Sequence, residues 1–105
     1  MDTLARLEST IAQRRTASPE DSYVAKLLGR GVPVIARKLG EESVEAIVAA
    51  LSGSRDELVG EAADVLFHLL VLLAAKDIPL SDVLAELDRR DGTSGLAEKA
   101  ARGAP

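Results

Sequence analysis

Residues 55–76, RDELVGEAADVLFHLLVLLAAK, restrict the fold more than any other stretch of the chain. Beyond Asp64 a helix here would be apolar on nearly every side, through Val65, Leu66, Phe67, Leu69, Leu70, Val71, Leu72 and Leu73. Such a helix belongs at the centre of a bundle or against a partner chain. A polar seam runs down it. Glu57, Glu61, Asp64 and His68 follow at i, i+4, i+7 and i+11, which share one side at about 100° per residue. The longest apolar stretch, Val65 to Ala75, is interrupted by His68 and falls short of the ~20 residues that span a bilayer, so no membrane is expected as a partner.

The remaining sequence supplies helices to surround this one. A chain of 105 residues makes one domain rather than two. It can bury roughly 65% of its unfolded surface, enough for one modest core. Leu and Ala dominate the apolar content, with one Phe, one Tyr and no Trp, which favours helix over sheet. Residues 3–15 carry an apolar stripe at Leu4, Leu7 and Ile11. Ser18, followed by Pro19, is placed to cap a short helix through SYVAKLL that stops at Gly29 or Gly31. Pro33 opens a third helix, which ends at Ser52 with Gly53 beyond it. Gly40 inside that helix costs about 1 kcal/mol against Ala and marks a place where a backbone or a ligand could come close. After DIPLSD, Ser81 is placed to cap a last helix through Arg90. The expectation is an all-α bundle of four or five helices in residues 1–90, with residues 91–105 a flexible tail. Its over-apolar member leaves surface to cover, so a homodimer completing the bundle is expected.

Composition removes several classes of function. Without Cys there are no disulfides or thiolate metal sites, and with a single His the usual zinc ligand sets are excluded. The net charge of −4 argues against nucleic acid as a partner. Met1-Asp2-Thr3 starts no hydrophobic leader, which agrees with a cytoplasmic protein.

What the chain concentrates is carboxylate. KLGEESVE places Glu41, Glu42 and Glu45 within one and a half helical turns, and EAAD adds Glu61 and Asp64 on the next helix. Like charges at helical spacing destabilise by roughly 0.2–0.5 kcal/mol per pair. Glu41 and Glu45 are i, i+4 and Glu42 and Glu45 are i, i+3, so all three share one side. Val44, Ile47, Val48 and Leu51 form the adjoining face, which places the acids at the border of the core. Helices joined by a short loop near residues 52–55 pack antiparallel, and the two clusters then meet at similar height. Four or five converging carboxylates suit Mg²⁺ or Mn²⁺, hard cations that take oxygen ligands and keep waters for substrate phosphates. Asp64 is the most informative acid, because an unpaired carboxylate buried on so apolar a helix is costly. A lone EExxE is usually a solvated face; the paired motif on consecutive helices is what points to a metal. Glu57 reads as a surface acid and His68 as a satisfied core or interface histidine.

The basic residues carry less information. Lys38 and Arg37 stand at i−3 and i−4 to Glu41, the spacing of helix ion pairs. As a set, Lys26, Arg30, Arg37, Lys38, Arg89, Arg90, Lys99 and Arg102 could hold phosphates, with arginine the better fork.

EExxE followed by ExxD on paired helices resembles the all-α, MazG-like nucleotide pyrophosphohydrolases. The longer pattern SYVAKLL…IARKLGEESVE…ELVGEAADVLFHLLVLL…SDVLAELDRRDGTSGLAEKA, spanning about residues 4–102, resembles the phosphoribosyl-ATP pyrophosphohydrolase family of histidine biosynthesis. That resemblance implies Mg²⁺-dependent hydrolysis of phosphoribosyl-ATP to phosphoribosyl-AMP and pyrophosphate. Glu41, Glu42, Glu45, Glu61 and Asp64 would then be the metal and catalytic acids, with Glu42 or Glu45 as the base. Lys38, Lys26, Arg89 and Arg90 would bind phosphate or ribose. Tyr23 would contact the ligand, or else be buried with a bonded hydroxyl. Ser43 stands where the family often has Ala, and Phe67 where Tyr or Trp is common. Two other readings share the sequence: a house-cleaning NTP or dNTP pyrophosphohydrolase, and a non-enzymatic helical dimerisation module whose acids are solvated.

Overall fold

The computed structural model describes residues 2–92 and 95–103. The chain is all-helical there, with six helices among the described residues: α1 (Thr3–Arg14), α2 (Tyr23–Arg30), α3 (Val32–Ser52), α4 (Arg55–Ala75), α5 (Leu80–Arg90) and α6 (Gly95–Arg102). α3 and α4 form a long helical hairpin, and α1 and α2 pack across it. The core is aliphatic: Ile11, Val24, Leu27, Ile35, Leu70, Val71 and Leu80.

α1, α2 and α4 start at side-chain caps, not always the expected ones. Asp2 caps α1 by accepting from the Ala5 amide. Ser18 instead shapes a turn, with its carbonyl accepting from the Asp21 amide at 3.0 Å. The cap of α2 is the buried Ser22, whose hydroxyl accepts from the Ala25 amide. Ser81 caps nothing and lies inside α5. The free amide of Leu80 donates to Glu8 Oε2 of α1 at 2.6 Å, so a distant carboxylate does the work expected of a local serine. Arg15 ties the same end together, donating to the Ala74 carbonyl at 2.8 Å and reaching Asp77 Oδ1 at 3.2 Å. α4 closes in a Schellman turn, with Asp77 at φ 55° and the Ile78 amide bonded to the Leu73 carbonyl.

Two glycines sit where geometry requires them. Gly31, at φ 93°, turns the chain from α2 into α3. Gly53 ends α3 in extended backbone, so conformation does not demand it. Space does: a Cβ there would lie 3.0 Å from Ala49 Cα and from the Ala49 carbonyl oxygen.

The hairpin is under-covered. Val44, Ile47, Val48 and Leu51, expected to form the apolar face beside the acids, are 58%, 58%, 54% and 82% exposed. Val59 and Leu66 of α4 are also about half exposed. By length and composition α4 could cross a bilayer. Its apolar run from Val65 to Ala75 is by itself shorter than a span, and the helix packs against α1, α2 and α3 and carries the acids described below. The radius of gyration is 15.9 Å, against about 13 Å for a compact domain of this length. Beyond Asp91, where a loose tail is expected, α6 is helical; residues 93, 94, 104 and 105 of that tail lie outside the described residues.

Candidate active site

The turn between α3 and α4 sets the register of the site. Ser54 Oγ accepts from the Glu57 amide at 3.1 Å, and Glu57 Oε1 accepts from the Ser54 amide at 3.3 Å. This capping box starts α4 at a fixed point. Glu57, expected to be an idle surface acid, therefore has a structural task; its spacing from Ser54, S-x-x-E, was the available signal.

From that turn the helices run back along each other and bring Glu45 against Glu61. Carboxylate oxygens of Glu42, Glu45 and Glu61 lie within 4.8 Å of one another. Glu42 is buried, with 9% of its surface exposed, and Glu45 is open to solvent. Glu61 is intermediate, but its Oε2 is buried and has no hydrogen-bond partner. Its neighbour Glu45 is another carboxylate and donates nothing unless protonated. Burial raises the proton affinity of Glu42 above the ordinary carboxylate range, and contact with Glu45 raises it further; His68 opposes. Glu61 is raised too, by burial and then by repulsion from Glu45. Beside the trio is a cleft of about 290 Å³, lined by Glu45, Glu57 and Glu61 together with Val44, Val48 and Ala49.

Asp64 corrects the sequence reading. It is exposed, so the argument from a buried carboxylate does not hold for it. Three residues on from Glu61, it is turned about 60° around the helix. Burial falls on Glu42 and on one oxygen of Glu61 instead. Asp64 still acts on the site, since its charge raises both of those glutamates. Glu41 is exposed and paired with cations, 3.7 Å from Arg37 Nε and 3.7 Å from Lys38 Nζ. Lys38 also lies 3.7 Å from Glu42 Oε1.

The other candidates separate. His68 is buried and satisfied, as expected of it: Nδ1 is 2.7 Å from the Asp64 carbonyl and Nε2 is 3.0 Å from the Tyr23 hydroxyl. Tyr23 has the bonded hydroxyl but is not buried, at 48% exposure. Lys26 is exposed on α2, one turn after Tyr23. Arg89 and Arg90 both engage Glu86, at 2.8 and 2.9 Å, a clamp the sequence reading did not include. Among the described residues, nothing beyond its own helix lies within 4 Å of where a Gly40 side chain would stand. The position opens on a shallow groove shared with Arg37, Glu41 and Glu45.

A paired-acid hairpin of this kind could serve several nucleotide hydrolases. The comparison that decides among them covers residues 4–91, which match the family model for phosphoribosyl-ATP pyrophosphohydrolase. The chain belongs to the phosphoribosyl-ATP pyrophosphohydrolase family. Relatives named phosphoribosyl-ATP pyrophosphatase agree over nearly the full length. One from Rhizorhabdus wittichii is 66% identical, covering 95% of this chain and 94% of its own. One from Novosphingobium aromaticivorans is 63% identical over 96% and 94%. One from Erythrobacter litoralis is 62% identical over 98% and 99%. All five acids that the resemblance implied stand on the α3–α4 hairpin, with three of them in mutual contact range.

Proposed function

We propose that this protein hydrolyses phosphoribosyl-ATP to phosphoribosyl-AMP and pyrophosphate, with a divalent cation, Mg²⁺ or Mn²⁺, held by the α3–α4 acids. The observation that carries the reading is the convergence of Glu42, Glu45 and Glu61 within 4.8 Å, one of them with a buried oxygen that no donor satisfies. Like charges so placed need a counter-charge, and oxygen donors at this spacing fit a hard divalent ion. Glu42 and Glu61 would hold it, with Asp64 and Glu41 at the margin. When bound, such an ion neutralises charge on the phosphate oxygens and favours cleavage of the anhydride.

The chain's own residues do the rest. Glu45 is the exposed member of the trio and lines the cleft, so it is the group placed to take a proton from the attacking water. One water is consumed, one P–O anhydride bond breaks, and pyrophosphate is the leaving group. Lys38, at the edge of the acids, is placed to meet a phosphate oxygen once a cation takes over its carboxylate partners. Lys26, Arg89 and Arg90 supply positive charge further out; for the arginines this requires Glu86 to share them. The exposed apolar face of Val44, Ile47, Val48 and Leu51 supports a homodimer in which a second copy completes the bundle.

The test is pyrophosphate release from phosphoribosyl-ATP by the purified protein, with Mg²⁺ and with EDTA, beside a panel of dNTPs. Metal-dependent release from phosphoribosyl-ATP alone is expected. Release from dNTPs alone would keep the metal site and discard the substrate, and release in EDTA would discard the metal.

A further inference from the structure

The chain has one tyrosine, one phenylalanine, one histidine and no tryptophan. The fold gathers all three rings into one cluster. Tyr23 of α2 stacks on Phe67 of α4, with centroids 6.0 Å apart and planes at 20°. His68 stands edge-on to both, 5.8 Å from Tyr23 and 5.1 Å from Phe67.

Hydrogen bonds fix the cluster. The Asp64 carbonyl can only accept, so the Nδ1 of His68 that meets it carries a proton. In the neutral ring Nε2 then accepts, and the Tyr23 hydroxyl donates to it. His68 is buried beneath. Tyr23 is thus supported from behind by Phe67 and held at its rim by His68, yet half of its surface stays open. A surface tyrosine with no task has no need of a buried histidine to set its angle.

Resting on the nucleotide reading above, we infer that Tyr23 is the platform on which the purine base of the substrate stacks, and that His68 is the positioning residue that holds it. The chain has no other tyrosine or tryptophan and only the one phenylalanine, which lies beneath Tyr23. Flat bases gain most from an aromatic face already held in position. Because the hydroxyl is engaged by His68, Tyr23 reads the flatness of the base and not its edges. It therefore separates nucleotides from base-free phosphates, and leaves discrimination between purines to other contacts.

The experiment exploits the same scarcity. With one tyrosine and no tryptophan, the ultraviolet emission of the protein reports on Tyr23 alone. The wild-type protein is titrated with AMP, and separately with ribose 5-phosphate and pyrophosphate. Free tyrosine amide is titrated in parallel to correct for light absorbed by adenine. AMP should quench the emission saturably, and the two base-free probes should not. In steady-state kinetics Tyr23→Leu should raise KM for phosphoribosyl-ATP roughly tenfold with kcat little changed. Tyr23→Phe should restore most of the affinity. His68→Gln should raise KM and weaken AMP quenching while the circular-dichroism spectrum stays helical. A Tyr23→Leu protein that turns over with wild-type KM would overturn the inference, as would AMP binding, seen by calorimetry, with no change in emission. A wild-type protein that releases no pyrophosphate from phosphoribosyl-ATP would defeat the reading of the reaction instead, and the AMP titration would still decide the platform.

Discussion

Lys38 Nζ lies 3.7 Å from Glu42 Oε1, one helical turn along α3, and an equal distance from Glu41 Oε2. The ammonium sits where a divalent cation would also be drawn, and the two compete for the same carboxylates. Lys38→Met should tighten Mg²⁺ binding about fivefold, the equivalent of roughly 1 kcal/mol. It should also raise KM for the substrate, because a phosphate contact is lost. Calorimetry of Mg²⁺ binding and steady-state kinetics check the two effects separately. An unchanged Mg²⁺ affinity would mean that Lys38 does not bear on the site.

Glu61→Gln removes one charge from the crowded seam. The metal-free protein should melt at a higher temperature than wild type, because the repulsion between Glu61 and Glu45 is gone. Added Mg²⁺ should stabilise the variant less, and pyrophosphate release should fall by about two orders of magnitude. Asp64→Asn, at an exposed position, should leave the melting temperature nearly unchanged and still lose activity. Thermal melts with and without Mg²⁺, run beside the activity assay, separate these outcomes.

The pH dependence follows from the direction of the shifts. Glu42 and Glu61 bind a proton more tightly in the folded chain than the ordinary value of 4.5. Folding favoured by a raised proton affinity is strongest at low pH and fades as pH rises through the raised values. The metal-free protein should therefore gain stability as pH falls from neutrality toward 4.5. Glu86 behaves oppositely: Arg89 and Arg90 hold it down to about 2, so its contribution is present above 4.5 and is lost below. Melting curves across pH 4–8 in EDTA test this, and the same curves in Mg²⁺ should be flatter above 4.5.

Leu51→Glu places a charge at the C-terminal end of the exposed α3 face, on its most exposed residue. In a monomer the change would be nearly silent, since that side chain is 82% exposed. In a dimer that buries the face it should raise the dissociation constant at least tenfold, roughly 1.4 kcal/mol. Sedimentation of wild type and variant over a concentration series distinguishes the two.

The fold was legible wherever the signal was local. The apolar run of α4, the acids on α3 and α4, and the loop between them fix a hairpin whose carboxylates meet, because helical spacing and a short turn leave little freedom. The failures came where two local choices were equally good and a distant group decided. Ser18 and Ser22 are both competent caps, and burial of Ser22 selects the second. Ser81 is a competent cap, but Glu8 from α1 already satisfies the Leu80 amide. The apolar stripe of Val44, Ile47, Val48 and Leu51 was plain in the sequence, yet periodicity does not show whether the chain's own helices cover a stripe, and here they leave it exposed. Asp64 was misjudged for a related reason: an apolar helix was equated with a buried one.

Gly53 and Ser54 are the whole connection between the two acid-bearing helices. Gly53 has no room for a side chain, and Ser54 is locked into the capping box. One residue inserted here would swing α4 by about 100° about its axis and carry Glu61 away from Glu45. Over evolutionary time a surface loop elsewhere can lengthen or shorten without harm, and an acid can be exchanged for its homologue. A residue count has no near-synonym, so among descendants of this protein this turn should keep both its length and its glycine while loops elsewhere vary.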